Sequence, residues 1–520
     1  MINRNLVIAI PQWLKTTTLI LIICTLGTGI FAQVNGNLYQ VGDKKILHVW
    51  GTHYERGYAQ GYLLAEETMQ IMYNYFFQTV TYSNVTAYNN LKTFMLGRFA
   101  FDPNHLSEAT GMVAGVEASG VSTYLPALDR NLDANDVLLG NSIVDLRYVR
   151  SAEMGLPDLE LGCASISSWG SATAADSTLN GNLVISRLMD WDRNSYLLAN
   201  PILIVHHPSE PDEQKWLSFT YPGLIGALSA ISENGSAAFL NVANVNNYSD
   251  DTGLKNILFS IRDGLELLDY NDDGYHSGMD IYESIADHRH LSGTLVHTVW
   301  ENDIDRFAGI VENNFWGTEL RTTVQNEGFM GTNLAVTNHF RLLYNPICCD
   351  RYAMIQDSLY LNSSVSAKRQ WNLLVGAAGW QNNLMAIQYI PSLGRVLWAN
   401  ADATSPAFET QAMGFDIHEL FSYSTANSEH LAPQPSSRIS IYPNPMSKGK
   451  QLKIKAPADI RSLSLYNIKG QEIMSQNFSN PAKEQALPIL SENLSGGIYL
   501  IRCHMSDGSS TAAKLLYLQD

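Results

Sequence analysis

Cysteine is scarce. Five occur in 520 residues, and with Cys24 in the apolar N-terminal run there remain Cys163, Cys348, Cys349 and Cys503. Exported domains that depend on disulfides carry more, at regular spacings, so no disulfide framework is expected and Cys163 is read as free. The neighbours Cys348 and Cys349 would form only a strained bridge with each other. Basic charge is also short, with 33 Lys and Arg against 50 Asp and Glu and a net charge of −17. A nucleic-acid partner, which needs a basic footprint, is therefore not expected. The deficit is uneven: from Arg438 onward ten Lys and Arg face six Asp and Glu, so that segment is +4 and the rest −21.

Long apolar runs are missing as well. Past residue 32 no segment is long and apolar enough for the roughly 20 residues of a membrane span. The first 32 residues place Arg4 and Lys15 before or within an apolar stretch, Leu19 to Ile23, and end on the small-residue run to Ala32, which predicts a signal peptide. Ile23 before Cys24 argues against a lipoprotein cleavage box.

What is present is an ordinary globular composition, 45% hydrophobic and 16% charged, over a length that suggests about two or three folding units. After a β-like run to Trp50, "GTHYERGYAQGYLLAEETMQ" reads as an amphipathic helix with Gly57 and Gly61 on one face, a pattern for close packing. From Cys163 the texture turns to strands, helices return near 254–290, and strands dominate after Phe307. This interleaving suggests an α/β sandwich of two stacked sheets. Residues 422–438 are polar and end in Pro and Ser, which predicts a linker, and 439–520 alternate as a small β-sandwich.

The stretch "ELGCASIS" places Cys163 behind a glycine at the head of a strand. Cutting the bond before it would free an α-amine of pKa about 7.7–8.0, a general base carried by the nucleophile's own residue. Arg187 and Asp190 lie on the returning run. A long connection over 173–181 brings Cys163 opposite the Asp190 region, whereas a tight turn at Asn180-Gly181 would bring it opposite Ser195 to Leu198. The polar stretch from Ala174 to Asn180 favours the long connection. Taken singly, Arg187 and Asp190 could be an exposed cross-strand pair worth about 0–1 kcal/mol. A papain-like pairing of Cys163 with His53 or His339 lacks the sequence context and the helical setting.

With "GTHYERGYAQG", "GCAS", "SRLMDWD", "ISENGSAAFLNVAN", "LAVTNHF", "CCDRY" and "MAIQYIPSLGRVLWANAD" in this order, residues 51–421 resemble the autoproteolytic N-terminal-nucleophile (Ntn) hydrolases of the penicillin (isopenicillin N) acyltransferase type, relatives of bile-salt hydrolases and acid ceramidases. The resemblance implies an α+β fold, a four-layer αββα sandwich, with self-cleavage between Gly162 and Cys163. It implies an α-chain at 33–162 and a β-chain at 163–421 that stay associated. Cys163 would be the nucleophile, Arg187 would favour its thiolate, and Asp190 would hold the new α-amine. Asn241 would donate to the oxyanion, and Asn338 and Arg351 would complete the polar wall. The implied activity is hydrolysis or acyl transfer on a linear amide of an N-acyl compound, without a catalytic cofactor. Ala164, where Thr or Ser is common, and Leu188, where Asn is common, depart from the pattern. They leave room for a lipid-directed acyl hydrolase, ceramidase- or phospholipase B-like, or for an inactive surface-binding protein of the same fold.

The last unit, with "YPNP", "LYNIKGQE", "LSGGIYLI" and Lys514-Leu515, resembles the sorting domain of type IX secretion cargo, an immunoglobulin-like β-unit. That implies the type IX machinery as a partner and export through the periplasm and outer membrane to the surface or medium.

Between two helical runs, "DYNDDGYHSGMD" sets Asp269, Asn271, Asp273, Tyr275, Ser277 and Asp280 at the ligand places of an EF-hand-like loop, with Gly274 at the sharp turn. A structural calcium ion is expected there, with Asp280 in place of the longer glutamate.

Overall fold

The computed structural model describes residues 34–425 and 440–518, except 160, 246, 303–304, 326–328, 344–348, 443, 445, 448–450, 468–470, 488–493 and 507–509. The expected signal peptide at 1–32, residues 426–438 of the expected linker, and Cys348 lie outside the described residues. The chain divides into two units, Met1–Leu431 and Ala432–Asp520. No helix among the described residues is long and apolar enough to cross a membrane.

Strands of the first unit begin with β1 (Gly36–Val41), β2 (Lys44–Gly51), β3 (Tyr124–Leu125), β4 (Arg130–Asn131), β5 (Gly162–Ser168), β6 (Val184–Asp190), β7 (Ile202–Pro208), β8 (Trp216–Thr220) and β9 (Ser229–Ser232). They continue with β10 (Ala237–Val242), β11 (Thr294–Glu301), β12 (Arg306–Asn314), β13 (Gly317–Arg321), β14 (Asn333–Val336), β15 (Asn383–Ile390), β16 (Arg395–Asn400) and β17 (Met413–Asp416). One sheet of nine strands runs β1-β2-β7-β8-β9-β10-β11-β12-β13, and one of six runs β14-β5-β6-β15-β16-β17. The two stack, with β10 lying on β5. Helix Ala367–Ala378 packs on β5 and β6, while helices His53–Leu63, Ile257–Glu266 and Gly278–Ala286 pack on strands of the larger sheet. The core strands are buried on both faces, which is why runs such as "AAFLNV" and "NLMAIQYI" carry no charge.

Helix His53–Leu63 opens on a capping box between Thr52 and Glu55. It lies backbone to backbone on helix Pro103–Ala118: a Cβ on Gly57 would sit 2.0 Å from the Glu108 carbonyl oxygen, and one on Gly61 2.0 Å from that of Met112. Only glycine permits that approach.

The β5–β6 hairpin has the long connection, residues 169–183. Gly162 faces Asp190, Cys163 faces Met189 and Ser165 faces Arg187. Strand alternation then turns Cys163, Ser165, Ser167, Arg187 and Met189 toward the larger sheet. Ala164 and Leu188, paired with each other, take the opposite face with Ser168 and Ser186, whose hydroxyls meet Gln370 of helix Ala367–Ala378. The two departures from the family pattern therefore lie on the side of β5–β6 away from the thiol.

In the second unit, β18 (Ser440–Tyr442), β19 (Met446–Ser447), β20 (Leu452–Asn467), β21 (Glu472–Leu487), β22 (Gly497–Met505) and β23 (Ser510–Leu518) pair in the order β18-β20-β22-β23-β19, with β21 also on β20. Leu452, Ile454, Ile460, Leu463, Ile501 and Leu515 fill its core. The described strands form one continuous sheet, so the two separate sheets of an immunoglobulin-like sandwich are not distinguished. The reason is β20: its first half pairs β18, its second half pairs β22, and register shifts between Lys455 and Ser462 let one long strand serve both.

Candidate active site

The site forms where the head of β5 meets β10, the segment after β14, and the start of helix Asp350–Leu361. Cys163 is buried, with Arg187 Nη2 3.7 Å from its sulfur. The same nitrogen donates to the Leu240 carbonyl at 2.6 Å, while Arg187 Nε and Nη1 have no hydrogen-bond partner. Burial pushes the Cys163 thiol above its usual value; Arg187 pulls the other way without overcoming it. In the uncut chain the thiol therefore stays protonated, and the expectation that Arg187 favours the thiolate is outweighed by desolvation.

The peptide N–H of Cys163 donates to Asn338 Oδ1 at 3.1 Å, an oxygen that also accepts from Arg351 Nη2 at 2.6 Å. Asn338 Nδ2 is anchored on the Val242 carbonyl at 2.7 Å. Arg351 Nη1 reaches the Cys163 carbonyl at 3.4 Å and lies 3.7 Å from Asp190, and its guanidinium stacks 4.4 Å from the centre of the Trp380 ring. Asn383 Nδ2 donates to Asp190 Oδ1 at 3.0 Å, leaving Asp190 Oδ2 without a hydrogen-bond partner. Burial lifts the Asp190 carboxyl to about 6, against the pull of Asn383, Arg351 and Arg187. A Cβ at Gly162 would lie 3.2 Å from Asp190 Oδ2 and 3.4 Å from Trp380, so the glycine lets both close on the peptide. Asn241, on β10, donates to the Thr337 carbonyl at 3.4 Å, and its Oδ1 is unpartnered.

All six expected residues, Cys163, Arg187, Asp190, Asn241, Asn338 and Arg351, thus belong to one neighbourhood, through direct contacts or through Thr337 and Leu240. His53 is elsewhere, in a buried network with Glu108 (3.0 Å) and Glu213 (2.8 Å). His339 bonds not Cys163 but Cys349. Burial pushes the Cys349 thiol up, but hydrogen bonds from His339, Thr337 and the Tyr352 amide, helped by Arg351, bring it down to about 6. Cys349 stands at the N-cap position of helix Asp350–Leu361 without a side-chain capping bond, and its sulfur lies 3.5 Å from Thr337 Oγ1. Sequence reasoning also missed Trp380 and Asn383; "WQNNLM", leading into β15, was their only signal.

In the loop 269–280, Asp269 accepts from the amides of Asp273 (3.0 Å) and Gly274 (2.8 Å), and Asn271 Nδ2 meets Asp273 Oδ2 at 3.2 Å. Those three share one turn. Asp280 accepts instead from the amides of Tyr270 (2.8 Å) and Ser277 (2.6 Å), making with Ser277 the cap of helix Gly278–Ala286, and the Tyr275 side chain is exposed. Among the described residues the acidic and imidazole groups close enough to share an ion are instead His53, Glu213 and Glu266. There Arg56 bonds both Glu213 and Glu266, and Arg262 bonds Glu266, so the negative charge is already met.

A family model described as the secretion system C-terminal sorting domain matches residues 440–517. This match indicates secretion or surface localisation and an interaction with secretion machinery. The curated Protein dcd1B of Dictyostelium discoideum is 28% identical over 212 residues, covering 39% of this chain and 40% of that protein. The chain therefore spans under half the length of that relative. Among solved structures, the N-acylethanolamine-hydrolyzing acid amidase ortholog of Caenorhabditis elegans has 18% identity and a TM-score of 0.33, covering 44% of this chain and 94% of its own. A mutant conjugated bile acid hydrolase of Clostridium perfringens has 10% identity and a TM-score of 0.29, covering 49% and 93%.

Proposed function

We propose that this chain is an exported, self-processing amidohydrolase or acyltransferase whose nucleophile is Cys163. The carrying observation is the convergence on one peptide bond: Asn338 holds the Cys163 N–H, Arg187 borders the sulfur, and Asp190 Oδ2, without a hydrogen-bond partner but 3.7 Å from Arg351, stands beside Gly162. In the first stage the Cys163 sulfur attacks the Gly162 carbonyl carbon, the C–N bond breaks, and the thiol proton ends on the departing nitrogen. Water then cleaves the thioester, leaving a Gly162 carboxylate and a free Cys163 thiol and α-amine. Asp190 Oδ2 and Asn338 Oδ1 are the acceptors for that amine, whose pKa of about 7.7–8.0 suits it to take the thiol proton.

In the second stage the thiolate attacks a linear amide, Asn241 Nδ2 donates to the oxyanion, and the α-ammonium protonates the leaving amine. Water or another acceptor takes the acyl group. An apolar slot of about 30 Å³, lined by Met189, Trp191, Leu197, Tyr221, Leu224 and their neighbours, adjoins Met189, the cross-strand partner of Cys163. Cys163 does not line it, so it supports an apolar acyl group that enters as side chains move to open the slot toward the thiol. After cleavage β2 would still pair with β7 inside the larger sheet, which supports association of the two chains.

We further propose that a calcium ion at 269–280 is structural; the ligand register supports it, and binding would require Asp280 to turn from its helix cap. Intact-mass measurement tests the main reading. Native protein should be cut between Gly162 and Cys163, and Cys163→Ala should be whole; an uncut native chain would overturn it. A properly cut protein inert toward penicillins, bile-salt conjugates, N-acyl amino acids and ceramides would favour a binding role.

A further inference from the structure

The two sheets meet under the candidate nucleophile through polar groups. His297, at the centre of β11, is fully buried and takes a hydroxyl on each ring nitrogen: Ser165 Oγ at 2.8 Å from Nδ1, Ser167 Oγ at 2.8 Å from Nε2. Both serines share the inward face of β5 with Cys163, at successive two-residue steps of about 6.8 Å. A ring bonded at both edges to residues one repeat apart fixes β5 along its own length as well as across the gap. Around it run other cross-sheet bonds, from Arg187 Nη2 to the Leu240 carbonyl (2.6 Å), Asn338 Nδ2 to the Val242 carbonyl (2.7 Å) and Arg321 Nη2 to the Ala335 carbonyl (3.1 Å).

We propose that His297 is a positioning residue for the reaction at Cys163: by gripping Ser165 and Ser167 it sets the placement of the thiol against Arg187 and Asn338. The proposal rests on the self-processing reading above. Burial holds the imidazole neutral, with its pKa down at about 3, so it offers one donor and one acceptor throughout the physiological range. Those are the two capacities that a pair of hydroxyls can satisfy at once. Apolar packing would bury β5 equally well but would leave its lengthwise placement to neighbouring strands. Since a misplacement of about 1 Å can cost a hundredfold in rate, this grip bears on the chemistry although it touches no reacting atom.

The test follows the fraction of chain cut with time after cell-free synthesis, by intact mass, alongside the thermal midpoint. His297→Leu should slow cutting by at least about tenfold, and His297→Gln, which keeps a donor and an acceptor, should recover most of the rate. The triple variant Ser165→Ala/Ser167→Ala/His297→Leu has no unpaired hydroxyl in the seam, so its midpoint should approach the native one while cutting stays slow. Native cutting with an unslowed His297→Leu, or an unslowed triple variant, overturns the positioning role and leaves the self-processing reading intact. A triple variant that fails to fold makes the seam a folding requirement and also overturns it. An uncut native chain overturns both.

Discussion

Arg187 Nη2 lies 3.7 Å from the Cys163 sulfur and 2.6 Å from the Leu240 carbonyl oxygen, so the guanidinium is held by a backbone group of the opposite sheet while it borders the thiol. A cation pinned this way stays in place when the thiol is neutral. In the proposed cut form it would stabilise negative charge on the sulfur, once an α-amine at Cys163 could receive the proton. In the uncut chain burial keeps the thiol protonated despite this cation.

A contrast in reactivity between two thiols follows. Cys349 is half-buried, with its thiol brought down to about 6, whereas burial keeps Cys163 above its usual value. In the uncut fraction at pH 7, iodoacetamide should label Cys349 well ahead of Cys163, as read by peptide mass. Labelling of Cys349 should weaken as pH falls through about 6, because a depressed thiol loses its thiolate only below that value. Equal labelling of the two would contradict the electrostatics described here.

Asp190 shows a conflict between folding and chemistry. Its carboxyl, lifted to about 6 by burial, binds its proton more tightly in the folded chain than in the unfolded one, where the value is about 3.9. A raised acid costs stability when ionised: the folded state gains as pH falls from 6 toward 4 and carries the full penalty above 6, on the order of 3 kcal/mol. In an uncut Cys163→Ala background, Asp190→Asn should therefore raise the thermal midpoint at pH 7 and change it little at pH 4. In the native background the same substitution should slow self-cleavage.

The parts of the site that lie on one strand or one hairpin were legible in the sequence. The alternation of "GCASISS", the long connection and the placing of Cys163 opposite the Asp190 region, which the structure puts one residue away, at Met189, follow from period-two patterning and a polar loop. What was not legible comes from groups without a side-chain signature or from segments far apart. The Leu240 and Val242 carbonyls that hold Arg187 and Asn338 are backbone atoms, and any residue could supply them. The sequence sets His339 aside as a papain-like partner of Cys163 and offers it no other, and only the fold brings it to Cys349. His297 sits in "TLVHTVWE", which reads as a plain buried strand until the serines of β5 are set against it. The continuous sheet of the second unit was hidden for a similar reason, since 16-residue strands such as β20 are interrupted in sequence by residues that only bend them.

Calcium makes a separate prediction. If Asp269, Asn271 and Asp273 gather an ion with an affinity of about 10⁻⁴–10⁻³ M, ten- to hundredfold excess over the dissociation constant should stabilise the first unit by about 1.4–2.7 kcal/mol. The readout is the thermal midpoint with calcium and with chelator. Asp269→Ala/Asp273→Ala should remove the difference without affecting self-cleavage. A shift that survives the double substitution would place any bound ion elsewhere.

The buried network around His53 bears on what holds a cut chain together. His53 and Glu108 precede the proposed junction; Glu213, Arg262 and Glu266 follow it, and Arg262 bonds Glu108 at 2.7 Å and Glu266 at 2.6 Å. Arg56, also before the junction, bonds Glu213 at 2.9 Å. Glu108, Glu213 and Glu266 thus meet Arg56, Arg262 and His53, with Glu210 3.9 Å from Arg56 beside them, so the carboxylates outnumber the arginines and favour a protonated His53. Burial pushes His53 down, but its bonds to Glu108 and Glu213 outweigh this and lift it to about 9. A raised histidine contributes stability in full below about 6.5 and loses it as pH climbs through 9, here on the order of 3 kcal/mol. The cut protein should therefore shed its 33–162 chain at lower urea concentration at pH 10 than at pH 6, as followed by size-exclusion chromatography. His53→Gln should release that chain more easily at pH 6 and flatten the dependence, because an amide cannot supply the charge that the carboxylates require.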